Sequence, residues 1–66
     1  MEIRLNGQPG ACEPGTTVAD LLAREGLAER RVAVEVNGEI VPRGRHSLHV
    51  LAEGDSVELV HALGGG

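Results

Sequence analysis

Two Asn-Gly pairs constrain this chain more than any other feature. Asn6-Gly7 and Asn37-Gly38 each close a short segment in which apolar and polar residues alternate. Ile3 and Leu5 are set between Glu2, Arg4 and Asn6, and Val32, Val34 and Val36 alternate with Ala33, Glu35 and Asn37. A period of two marks a half-buried strand, and Asn-Gly supplies both positive-φ residues of a tight hairpin turn. Two hairpins are therefore predicted. In the first, Leu5 faces Gln8 and the core face continues through Gly10 to Cys12. Nothing cationic lies beside Cys12 in sequence to favour a thiolate, so it reads as a small core residue and not a reactive thiol. In the second, Ile40 and Val41 start the return strand, and Pro42, which has no N–H for the ladder, ends it.

Between the hairpins the pattern becomes helical. Glu13-Pro14-Gly15 breaks the second strand, Thr17 and Asp20 have the spacing of a capping box, and Val18, Leu21 and Leu22 recur on one face. Gly26 is placed to end the helix in a left-handed conformation, with Leu27 folding back on the core. A helix of about two and a half turns is marginal alone in water and must be held by packing on a sheet. The polar stretch from Arg43 to His49 reads as an irregular surface connection. Beyond it come Leu51, a turn at Glu53-Gly54-Asp55 and a final strand from Val57 to Leu63. That strand is apolar on both faces, with Val57, Leu59 and Leu63 on one and Val60 and Ala62 on the other. It is either central in a covered sheet or has one face waiting for a partner. The economical fold is α+β: a mixed sheet of four or five strands with one helix across it, spanning residues 1–63 and followed by a glycine tail at 64–66.

Size and charge exclude several functions. The chain has 66 residues, enough for one small domain but too few for a core plus an enclosed cleft, so an autonomous enzyme is not expected. It has no Phe, Tyr or Trp, which leaves a core of Val, Leu, Ile and Ala and no rings to stack on single-stranded nucleic acid. Ten acidic residues against six basic ones give a formal charge of −4. Phosphate backbones and anionic membranes would be repelled, and a partner with a basic surface is favoured. A single cysteine rules out an intrachain disulfide. No apolar run has the length of a signal peptide or membrane span, so the chain reads as cytoplasmic. His46, His49 and His61 lack the motif of a metal site and are expected to be solvated. Asp20 and Glu25 are expected to cap and solubilise the helix.

The order of these pieces resembles the ThiS family, the sulfur carriers of thiamin thiazole biosynthesis. The resemblance rests on the Asn6-Gly7 turn, the helix start Gly15-Thr16-Thr17-Val18-Ala19-Asp20-Leu21-Leu22, and the strand and turn from Val32 to Gly38. Ile40-Val41-Pro42-Arg43, Glu53-Gly54-Asp55 and a closing glycine pair complete it. It covers essentially the whole chain, and it implies a ubiquitin-like β-grasp fold. By this resemblance an E1-like adenylating enzyme (ThiF type) would use ATP to activate the carboxylate of Gly66, with no cofactor bound by the chain itself. A donor such as a cysteine desulfurase would supply sulfur for a thiocarboxylate, and a thiazole synthase (ThiG type) would receive it. Gly65 is the required neighbour. Gly64 exceeds the pattern and would lengthen the reach.

A glycine tail suits this chemistry because it has no Cβ to clash in a narrow channel. Ordering it opposes binding by about 1–2 kcal/mol per residue, which docking contacts elsewhere must offset. Val60, Ala62 and Leu63 are the candidate docking surface, with Arg43 or Arg45 at its rim. Two other covers stay open for Val60 and Ala62: the chain's own sheet and a second copy. The alternative functions are a molybdopterin synthase small subunit, another sulfur carrier, a ubiquitin-like protein modifier and a ligand-binding module.

Overall fold

Both predicted hairpins form, and they meet across the last strand of the chain. The computed structural model describes residues 1–28 and 30–61, the last of these by its backbone. In chain order its elements are β1 (Glu2–Leu5), β2 (Gln8–Ala11), α1 (Val18–Arg24), β3 (Val32–Val36), β4 (Glu39–Val41), a 3-10 turn (Arg43–Arg45) and β5 (Ser56–His61). Leu5 faces Gln8 in the first hairpin and Val36 faces Glu39 in the second. Asn6 and Asn37 have φ of 50° and 53°, and the glycines that follow have 82° and 85°. Two positive φ values in a two-residue loop are the hairpin geometry whose twist matches that of the flanking strands.

The strand order is β2-β1-β5-β3-β4. β5 lies antiparallel to β3 and parallel to β1, so among the described residues it is the strand that joins the two hairpins. With one helix across one face, this is the β-grasp arrangement.

The helix is seven residues long, shorter than predicted because Thr17 and Glu25 are its caps and not part of its interior. Thr17 and Asp20 form the reciprocal capping box, with Asp20 N donating to Thr17 Oγ1 at 3.1 Å and Thr17 N donating to Asp20 Oδ2 at 3.0 Å. At the other end Gly26 takes a φ of 76°. Gly26 N then donates to Ala23 O at 3.1 Å and Leu27 N to Leu22 O at 2.8 Å, the paired bonds of a Schellman ending. So short a helix is stable only because Val18, Leu21 and Leu22 are buried against Ile3, Val34, Val57 and Leu59 of the sheet. Cys12 belongs to this core at 9% exposure.

The segment after β4 departs from expectation. Val18 N donates to His49 O at 3.0 Å, Ala19 N to His46 O at 2.9 Å, and Leu51 N to Thr16 O at 2.8 Å. The supposed surface connection thus satisfies two of the first N–H groups of α1, which have no partner within the helix. It also overturns the expectation of a solvated His46, which is 8% exposed with Nε2 3.0 Å from Val41 O. Bringing its carbonyl to the start of the helix places the ring beneath the end of β4. Among the described residues no helix is long and apolar enough to cross a membrane.

Candidate functional site

Because α1 covers one face of the sheet, strand alternation leaves the other face open. Arg4 on β1, Ala33 and Glu35 on β3, Ile40 on β4, and Glu58 and Val60 on β5 point to that side, where all but the half-buried Glu35 are exposed. Register arranges them in rows. Ile40, Glu35 and Glu58 lie side by side across β4, β3 and β5, and Ala33 faces Val60 in the next row. Val60 is 56% exposed and Ile40 61%. The chain's own sheet therefore does not cover Val60.

The strand that carries this face is fixed at its start by both turn asparagines. Asn6 N donates to Val57 O at 2.8 Å, and its side-chain Oδ1 accepts from Leu59 N at 2.8 Å. Asn37 does the same one register away: its N donates to Ser56 O at 2.8 Å and its Oδ1 accepts from Ser56 N at 2.9 Å. Asn37 Nδ2 also donates to Asp55 Oδ1 at 2.9 Å, and Asp55 Oδ2 accepts from Ala52 N at 2.7 Å. Sequence reasoning assigned these asparagines only to turn geometry. Their second role requires knowing that β5 runs between the two hairpins, which no local signal gives.

From this anchored start β5 runs to His61, opposite Val32. Arg43 begins its exposed turn at the same end of the sheet, since β4 ends at Val41 opposite Val34. Val60 and Arg43 thus share one end of the molecule, with β3 between the strands that lead to them. The other predicted site residues, Ala62, Leu63, Gly64, Gly65 and Gly66, lie outside the described residues.

Elsewhere the polar groups serve the fold. A groove of about 410 Å³ between β2 and α1 is lined by Met1, Cys12, Thr16, Asp20, Leu21 and Arg24 among others. Arg24 Nη1 donates to Ala11 O at 2.5 Å, and Asp20 is held in the capping box. Among the described residues there is no group of three or more His, Cys, Asp or Glu side chains able to hold a metal.

Comparison with known proteins gives a consistent answer. The family model described as "ThiS family" matches residues 3–66. The chain is 33% identical over 66 residues to the sulfur carrier protein ThiS of Escherichia coli, and each chain is covered in full. It is 48% identical over 66 residues to a thiazole synthase of Magnetococcus marinus, but spans only 20% of that protein's length. Among solved structures, the crystal structure of the thiamine biosynthesis protein ThiS from Geobacter metallireducens superposes with a TM-score of 0.84 at 32% identity, with both chains covered in full. A family match over residues 3–66, joined to the full-length likeness to the solved ThiS structure, places this chain in the ThiS family.

Proposed function

We propose that this chain is a cytoplasmic sulfur carrier whose terminal Gly66 is adenylated and converted to a thiocarboxylate, delivering sulfur for the thiazole ring of thiamin. The observation that carries the proposal is the family match, which runs through the whole fold to residue 66. The full-length likeness to a protein named as a sulfur carrier supports it. The chain takes part as co-substrate and its partners do the catalysis.

The chemistry explains the division of labour. A carboxylate is a poor electrophile because its charge is delocalised and its oxygen leaves badly. A ThiF-type adenylating enzyme would let a Gly66 carboxylate oxygen attack the α-phosphorus of ATP, with pyrophosphate leaving. The outer sulfur of a persulfide, from a donor such as a cysteine desulfurase, then attacks the carbonyl carbon and AMP departs with the oxygen. A thiol cleaves the S–S bond of the acyl disulfide so formed, leaving the donor sulfur on the chain and a disulfide as the oxidised product. The resulting thiocarboxylate is the softer nucleophile. It can pass sulfur to a carbonyl-derived acceptor on a ThiG-type thiazole synthase without free sulfide. The likeness of the whole chain to one part of a thiazole synthase supports that acceptor over a pterin.

Residues 64–66 are the tail in this reading, with Gly65 as the required neighbour of Gly66 and Gly64 as added reach. Val60, Ala62, Leu63 and Arg43 lead into the docking surface. The test is the intact mass of the chain after incubation with its ThiF-type enzyme, ATP, a persulfide donor and a thiol reductant. Exchange of one oxygen for sulfur at the terminus is expected, together with loss of that exchange and an unaltered melting temperature when Gly65 and Gly66 are both deleted. Thiocarboxylate formed equally by the truncated chain would overturn the tail mechanism.

A further inference from the structure

We propose that the open face of the sheet docks a protein partner through an arginine seated over the Glu35–Glu58 pair, flanked by Ile40 on one side and Val60 with Ala33 on the other. Glu35 and Glu58 are directly opposite each other in the antiparallel β3–β5 ladder, where Cβ atoms are about 4.5–5.5 Å apart and like charges destabilise the sheet. Among the described residues, neither glutamate is in a salt bridge. Arg4 is the only arginine carried by a described strand, and its Nη2 donates to Gly7 O at 2.9 Å. Among the described residues, this acidic pair at the middle of the sheet thus has no ion-pair partner.

The neighbours of the pair indicate what would use it. Glu35 is half-buried between Glu58 and Ile40, so a group bound there is partly screened from water. Ile40 and Val60 expose apolar surface on either flank. A guanidinium matches this frame, because its planar fork can donate to both carboxylates at once while its stem lies along apolar side chains. Apolar contacts that exclude water strengthen the charge pairing they surround. A second copy of the chain fits less well, since a two-fold axis through this face would set one acidic pair against another. Nucleic acid and anionic membrane would meet carboxylates.

The partner chosen for the test rests on the carrier reading, and it is the chain's own thiazole synthase, because a thiazole synthase contains a region like this whole chain. Calorimetric titration of that enzyme with the wild-type chain and with Glu35→Gln/Glu58→Gln should show at least roughly ten-fold weaker binding for the variant. The wild-type affinity should fall with added salt and the variant's should not. The melting temperature of the free variant should rise, because a repulsion has been removed. Glu13→Gln/Glu39→Gln, which removes equal charge outside the patch, should bind like the wild type. Equal affinity of wild type and variant would overturn the proposal, as would a lower melting temperature for the variant or sedimentation of the free chain as a dimer. A wild-type chain that does not bind the synthase at all would overturn the carrier reading and the docking site together, whereas a bound variant of full affinity leaves the carrier reading standing.

Discussion

The two faces of β5 alternate residue by residue and are opposite in character. Val57 is closed to solvent at 0% exposure and Leu59 nearly so at 8%, whereas Val60 is 56% exposed. On the core face Val57 and Leu59 pack under α1. On the open face Val60 and Ala33 lie beside Glu35 and Glu58. An apolar side chain contributes to folding only on the first of these faces, so the second is free to carry residues that suit a partner. One strand therefore holds the fold together and presents the docking surface, and substitutions can separate the two roles.

The sharpest separation compares Leu21→Ala with Ile40→Ala. Leu21 is 0% exposed at the centre of the helix–sheet contact, and Ile40 is 61% exposed on the other side of the sheet. Truncating a buried leucine costs about 2–5 kcal/mol, while an exposed site away from special features changes stability by no more than about 0.5 kcal/mol. A domain of this size has little stability to spare, so Leu21→Ala should leave the chain largely unfolded at physiological temperature. Urea denaturation followed by circular dichroism measures both. Equal losses at the two sites would mean that the open face is also structural.

The turn asparagines offer a smaller effect on the same strand. In Asn37→Asp a second carboxylate replaces the amide that donates to Asp55 Oδ1, whereas the side chain of Asn6 is asked only to accept from Leu59 N. Aspartate fits both turn geometries. Asn37→Asp should therefore cost about 1–3 kcal/mol, the penalty of a hydrogen bond turned into a repulsion, and Asn6→Asp under about 1 kcal/mol. The loss in Asn37→Asp should shrink on acidification, when a proton shared between the two carboxyls restores a donor. Thermal melts at neutral and acidic pH check both parts. Equal costs would mean that the Asp55 contact does not hold the start of β5.

What could be read in the sequence divides along the same line. Thr17 and Asp20, Gly26, both Asn-Gly turns and the buried Cys12 were all legible, because each depends on neighbours within a few residues. The burial of His46 was not, because it follows from a backbone contact between the segment after β4 and the helix start. The Glu35–Glu58 pair was also hidden. Each glutamate is correctly outward by alternation, but only the long-range register of β3 against β5 puts them side by side. The alternation likewise showed two apolar faces on the last strand but not which was covered, since that depends on where the single helix packs.

The smallest expected effect on stability is the most informative about the open face. Val60→Thr exchanges a methyl for a hydroxyl at nearly constant shape and keeps the β-branch that suits a strand. On an exposed face the hydroxyl is solvated, so stability should change by no more than about 0.5 kcal/mol, a shift of no more than about 4 °C in the melting temperature of a domain this small. The same exchange at Val57 buries a hydroxyl in an apolar core and should cost about 1–3 kcal/mol. If Val60 serves only to dock, Val60→Thr should melt like the wild type yet bind the partner enzyme more weakly, because the hydroxyl must give up its water when the face is covered. A variant that matches the wild type in both melting and binding would move the apolar contact off Val60 and onto Ile40 at the other flank of the glutamates. A variant that melts early would show that the strand needs this valine on its open face, and the division of β5 into a folding face and a docking face would fail at that residue.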